Sequence, residues 1–143
     1  MQNVPESMLV APIVGMWARM GELLVSVGQR LLRWWTGARQ LDHHTTDGVR
    51  VRYLRIRRPG RPVAVLLHGF SDRPESFLPV ASSLRGYDLV LPELPGFHDG
   101  APHQSYTVSN YAHWVISLLD DLGLRGVHLC GNSLGGAVVL LIA

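Results

Sequence analysis

A serine with a glycine two residues away on either side, in Gly131-Asn132-Ser133-Leu134-Gly135, is the residue of this chain best placed to do chemistry. A free hydroxyl is a poor nucleophile and becomes useful only when it is exposed and served by a base. The flanking pattern supplies the exposure. Gly126-Val127-His128-Leu129-Cys130 reads as a short buried strand, and the apolar run from Gly135 to Ile142 as the start of a buried helix. A serine on the sharp turn between them is held in a strained backbone conformation with Oγ lifted above the sheet. Strand and helix approach closely there, so positions 131 and 135 must be small. The same turn aims the Leu134 N–H and the positive end of the helix at the space where an oxyanion would form. The chemistry implied is nucleophilic attack on a carbonyl.

Upstream, Val63-Ala64-Val65-Leu66-Leu67 is a continuous apolar run, as expected for a parallel strand buried on both faces, and His68-Gly69-Phe70 follows it directly. With Leu94-Pro95-Gly96-Phe97 and Gly131-Asn132-Ser133-Leu134-Gly135-Gly136, these segments resemble the α/β-hydrolase superfamily, in the style of its lipase and esterase branch, monoacylglycerol-lipase-like enzymes included. The resemblance covers about Thr45 to Ala143, with the motifs in the family's order. It implies Ser133 as nucleophile and the Phe70 and Leu134 N–H groups as oxyanion hole. His68, Gly69, Gly131 and Gly135 take structural roles, and neither cofactor nor metal is called for. The implied substrate is a carboxylic ester, a small molecule or a lipid such as a medium-chain acyl glycerol. The resemblance also puts the catalytic acid and histidine beyond residue 143. The chain therefore reads as the front half of a hydrolase, expected to fold poorly and to hydrolyse little by itself. Thioester hydrolysis, carbon–carbon bond hydrolysis and acyl transfer use the same front half and stay open, as does a non-catalytic membrane-binding remnant. Serine at 133 argues against the dehalogenase and epoxide-hydrolase branches, which place an aspartate there.

His68 is not read as the general base, because the nucleophile–acid–base order of this fold puts the base last. His43, His44, His98, His103, His113 and His128 read as surface, loop or core positions without metal-ligand spacing. Cys130 is the only cysteine, which excludes an intrachain disulfide, and it reads as an inert thiol in a buried strand. Residues 1–61 carry ten arginines against four acids, and residues 62–143 three against seven, so the front is basic and the back acidic. The basic part suits anionic lipid headgroups. Nucleic acid is disfavoured as a partner, since no binding motif or aromatic platform accompanies the arginines.

The elements that must position Ser133 follow from pattern. Thr46-Asp47-Gly48-Val49 is a hairpin turn signal, and Val49, Val51 and Tyr53 alternate with Arg50 and Arg52 as on a half-exposed edge strand. The alternation slips at Tyr53-Leu54, where a bulge or strong twist fits. Pro74 and Glu75 suit a first helical turn, with the regular helix starting at Pro79 and ending at Gly86. Asp88-Leu89-Val90-Leu91 is the next strand. The loop from Leu94 to Gly100 is expected on the active-site side. Thr107 or Ser109 caps a helix to about Leu122, with Gly123 as its stop. Its apolar positions Val108, Tyr111, Val115, Leu118, Leu119 and Leu122 share one face. Strands and helices alternating after a hairpin give an α/β, doubly wound sheet. Ligands then sit at the carboxyl ends of its strands.

Residues 1–40 are different in character and are read as a separate N-terminal region, ahead of an incomplete hydrolase domain at 41–143. Between Met8 and Trp35, Arg19, Glu22, Ser26, Gln29, Arg30 and Arg33 form one narrow polar stripe on an otherwise apolar helix. The longest charge-free stretch, Ser7 to Ala18, holds 12 residues, short of the ~20 a bilayer span needs. No positive segment precedes it, as a signal peptide would require. A basic, Trp-bearing amphipathic helix at 8–35 suits a membrane surface. Docking on the domain, dimerisation and a tilted anchor stay open. The corresponding location is cytoplasmic or peripherally membrane-associated.

Overall fold

The computed structural model describes residues 6–46, 48–97 and 106–143. Asp47, His98, Gly100 and His103, named above, lie outside the described residues. Two compact units divide the chain, one up to Leu32 and one from Arg33 onward.

Helix α1 (Glu6–Thr36) holds 31 residues, about 46 Å at 1.5 Å per residue. Of the side chains described in its first unit, Leu23, Leu24 and Leu31 are 61%, 67% and 61% exposed. Among the described residues no helix is long and apolar enough to cross a membrane. The helix closes in the second unit with a Schellman motif: Gly37, at φ 71°, donates to the Trp34 carbonyl and Ala38 to that of Arg33. Arg33 also donates to Gln40 at 3.0 Å and to Glu75 at 3.3 Å.

The second unit is a five-stranded sheet with strands β1 (Arg39–His44), β2 (Arg50–Ile56), β3 (Val63–Leu67), β4 (Asp88–Pro92) and β5 (His128–Gly131). Their order across the sheet is β1-β2-β4-β3-β5. Pairing is antiparallel for β1 with β2 and β2 with β4, and parallel for β4 with β3 and β3 with β5. The apolar runs that read as parallel strands are buried along β4 and nearly so along β3, because helices and loops cover both faces.

Two expectations about β2 are corrected. It is not an edge strand, since β1 and β4 flank it. Nor is there a bulge at Tyr53-Leu54: the register from Arg39 opposite Arg55 to His44 opposite Arg50 runs without a skip. The alternation slips because Tyr53, Leu54, Arg55 and Ile56 are all buried. Arg55 is tolerated there because Asp88 on β4 takes its Nε at 3.0 Å and its Nη2 at 2.9 Å, a two-pronged fit.

A 3-10 turn (Pro74–Phe77) leads into α2 (Leu78–Ala81), so the expected helix from Pro79 to Gly86 is one turn long and begins one residue earlier. Helix α3 (Val108–Asp121) starts where Thr107 accepts the Asn110 N–H at 3.2 Å, and Gly123 stops it. Its buried side chains, Tyr111, Val115, Leu118 and Leu119 among them, face the sheet core. Helix α4 (Leu134–Ile142) follows β5.

The strand expected at 126–130 forms as β5, but its expected burial is corrected. In β5, His128 and Cys130 are exposed and their neighbours only half-buried. The strand pairs with β3 along one edge and with nothing described along the other, so a thiol read as buried faces outward.

Candidate active site

Ser133 sits between β5 and α4 with φ 50° and ψ −112°, one of two non-glycine residues at positive φ among those described. Left-handed backbone costs about 1–3 kcal/mol for such a residue. The residue stands at the N-cap of α4, yet its side chain makes no capping hydrogen bond. An ordinary N-cap serine spends its oxygen on the helix N–H groups. Here Oγ is exposed and uncommitted to the helix.

Neighbouring backbone holds the turn in place. Asn132 N–H donates to the Leu67 carbonyl at 3.0 Å, which extends the β3–β5 ladder into the turn. Gly135 N–H closes onto the Asn132 carbonyl at 2.9 Å. Among the described residues the Leu134 N–H has no backbone acceptor, so an orphan donor stands at the positive end of α4. The glycines are forced by space. A Cβ on Gly131 would lie 2.2 Å from the Gly135 carbonyl carbon, and one on Gly135 would lie 2.1 Å from the Leu67 oxygen. Helix α4 therefore rests directly on the ends of β3 and β5.

The His68-Gly69-Phe70 segment leaves β3 beside this turn. A Cβ built on Gly69 would be 3.4 Å from Ser133 Cβ, so residues 69 and 133 are brought together. Asp72 N–H donates to the Gly69 carbonyl at 3.2 Å, and Ser71 is the second non-glycine residue at positive φ, 56°. Phe70 is three-quarters exposed and meets Phe97 edge-on at 5.4 Å.

His68 is fully buried. Its Nε2 receives the Leu94 N–H at 2.9 Å, and since a backbone N–H only donates, that nitrogen carries no proton. Nδ1 then bears the hydrogen and donates to the Gly69 carbonyl at 2.9 Å. Both nitrogens of this neutral ring are spent. His68 thus ties the loop after β3 to the loop after β4 and has no nitrogen left for a serine proton. Of the other described histidines, His43 and His44 lie in β1, His113 on α3 and His128 at the start of β5.

Below His68 lies Glu93, fully buried, which accepts from Arg52 at 2.7 Å; its other oxygen is 3.9 Å from His68 Nε2. This Arg52–Glu93 support was not anticipated. Arg52 looked like an outward residue of an edge strand, and only the neighbouring position of β4 reveals its partner.

An aromatic cavity of about 250 Å³ opens beside Phe70, lined also by Gly96, Phe97, Tyr106 and Tyr111. Tyr111 donates to the Pro95 carbonyl at 3.1 Å, which leaves its ring as the wall. Burial, with Tyr106 nearby, pushes its hydroxyl pKa above the usual value, so it stays neutral at physiological pH. A second, more open hollow of about 570 Å³ runs along Ser133, Cys130 and Leu140. Among the described residues no cluster of histidine, cysteine and carboxylate side chains has the makings of a metal site.

Residues 64–143, more than half of the chain, match the model of the Alpha/beta hydrolase family. The chain is 37% identical over 102 residues to the uncharacterized hydrolase YugF of Bacillus subtilis, covering 69% of this chain and 37% of that protein. It is 34% identical over 87 residues to Lipase 1 of Psychrobacter immobilis, covering 59% of this chain and 27% of the lipase. Among solved structures, a membrane phospholipase A described as a bacterial virulence factor superposes with a TM-score of 0.77 at 28% identity. That match covers 95% of this chain and 44% of the phospholipase. The chain thus spans roughly a quarter to two-fifths of the length of these relatives.

Proposed function

Because the chain belongs to the alpha/beta hydrolase family, we propose that Ser133 is the nucleophile of a serine hydrolase that cleaves carboxylic esters through an acyl-enzyme. The observation that carries this reading is the exposed Oγ on a strained turn at the head of α4, spared from capping the helix. Oγ attacks the ester carbonyl carbon, and the carbonyl electron pair moves onto oxygen. The N–H groups of Phe70 and Leu134 receive that oxyanion, assisted by the positive end of α4. The alcohol then leaves with a proton, and water releases the acid from the serine. The acyl chain lies in the aromatic cavity of Phe70, Phe97, Tyr106 and Tyr111, whose walls favour an apolar chain.

Proton transfer needs a histidine oriented by a carboxylate. The committed nitrogens of His68 argue against it as that base and support a bracing role for His68 and Gly69 in the oxyanion loop. A fluorophosphonate probe reads the serine directly. Slow covalent labelling at Ser133, absent in Ser133→Ala, supports the nucleophile. Equal labelling of both proteins, or ester cleavage that survives Ser133→Ala, sinks it.

A membrane-surface role for residues 8–35 is favoured by the exposed Leu23, Leu24 and Leu31 of α1 and by the likeness to a membrane phospholipase A. Such a surface would deliver lipid esters. Flotation of the chain with anionic vesicles tests it; a chain that stays in the aqueous fraction refutes it.

A further inference from the structure

Several arginines of the second unit meet carboxylates, and two that share one cavity do not. Arg33, Arg52 and Arg55 each meet a buried carboxylate, and the exposed Arg50 and Arg125 meet Asp42 and Asp120. Arg58 is half-buried and meets only carbonyls: Leu84 at 2.9 Å, Tyr87 at 2.8 Å and Ala81 at 3.3 Å. Arg85 donates its Nε to the Ser82 carbonyl at 3.1 Å. Among the described residues neither guanidinium has a carboxylate partner. Both line one cavity of about 300 Å³, together with Trp35, Thr36 and Ser82.

Two positive charges in one concave site, unbalanced by any lining acid, raise the local potential and call for an anion. The carbonyl contacts use both hydrogens of Arg58 Nη1 and one of Nη2, which leaves its Nε–H and one Nη2 hydrogen, while Arg85 keeps both terminal nitrogens. Held in this way, Arg58 is preorganised, and guanidinium forks match phosphate oxygens. Trp35 of the lining and its chain neighbour Trp34 say where that phosphate comes from. Trp34 and Trp35, on the last turn of α1, are 82% and 62% exposed. Paired exposed tryptophans favour the headgroup layer of a bilayer, where one side of the ring is apolar and the other wet.

We propose that the hollow between Trp35, Arg58 and Arg85 binds the phosphate of an anionic phospholipid, with the two tryptophans entering the headgroup layer. This site is separate from the Ser133 turn and stands whether or not that turn is catalytic.

The test is co-sedimentation of the 143-residue chain with phosphatidylcholine vesicles, with and without phosphatidylglycerol. Wild type is expected to favour the phosphatidylglycerol vesicles, and Arg85→Gln to weaken that binding about tenfold. Arg57→Gln, which removes an exposed charge outside the cavity, is expected to weaken it only about twofold. Equal losses in the two variants overturn the site and leave diffuse charge as the cause. Should Arg85→Gln lose its circular dichroism, Arg85→Lys keeps the charge without the fork; wild-type affinity in that variant overturns the site too. Inorganic phosphate at constant ionic strength is the remaining arm. A saturable change in fluorescence without vesicles, absent in Trp35→Ala, paired with no preference for phosphatidylglycerol, overturns the lipid as occupant and assigns a soluble phosphate instead.

Discussion

On the flank where β2 meets β4, charges are buried and matched; on the flank where β5 meets α4, apolar side chains and a thiol face outward. Arg55 and Asp88 form a two-pronged pair with less than a tenth of either side chain exposed, and Arg52 reaches the fully buried Glu93. Across the sheet, Leu140 is 82% and Leu141 57% exposed, beside the exposed Cys130. The strained residue of the second flank, Ser133, stands on glycines that admit no Cβ. Stability is concentrated in one flank and conformational strain in the other, with β3 and His68 between them. A substitution should therefore disturb folding or chemistry according to its flank.

The largest effect is expected in the matched flank. Asp88→Ala leaves the Arg55 charge buried without its partner, which costs about 3–5 kcal/mol. Urea unfolding followed by circular dichroism should show a midpoint shift of that order, and a loss under 1 kcal/mol would show the pair to be wet. Gly135→Ala comes next. Its new methyl would press on the Leu67 oxygen, and α4 must move away at about 1–3 kcal/mol, the usual cost of overpacking. Fluorophosphonate labelling at Ser133 should fall with it. A stable, fully labelled Gly135→Ala would break the tie between close approach and the serine's presentation.

Ser133→Gly separates the two flanks most sharply. Glycine adopts positive φ freely, so the strain is released and stability rises by about 1 kcal/mol while labelling disappears. A destabilised Ser133→Gly would mean that the serine side chain supports the fold, and the contrast between flanks would fail.

Much of this architecture was legible in the sequence because its causes are local. Thr107 caps α3 with its own side chain, Gly123 stops it, and the β3 and β4 runs are apolar because both faces are covered. The strand–turn–helix around Ser133 is local too, with spacing enforced by steric contact. What could not be read was non-local. Arg52 looked like an outward residue of an edge strand and nothing near Arg55 in the sequence marks its partner; only the placement of β4 beside β2 supplies Glu93 and Asp88. The exposure of Cys130 depends on what pairs with β5, which no pattern within 126–130 encodes. The aromatic cavity was half legible: the Leu94-Pro95-Gly96-Phe97 loop was expected near the site, but Tyr106 and Tyr111 enter it from beyond the loop.

The smallest effect concerns a contact between α3 and the hairpin that begins the sheet. Asp121 accepts from the Thr46 hydroxyl and from the Thr46 N–H, the latter at 3.1 Å. The hydroxyl contact, then the N–H, hold its carboxyl below the usual value. A depressed folded-state pKa gives stability that is present above the unfolded value of about 4 and lost as pH falls through the folded one. Asp121→Asn should therefore lower Tm slightly at neutral pH, and the gap to wild type should close below about pH 4. Thermal melts of both proteins between about pH 2 and 7 measure it. Because the carboxylate is exposed, the gap should be small and should not move labelling at Ser133. A gap that persists unchanged into acid would assign the contact to the Thr46 geometry and not to the charge.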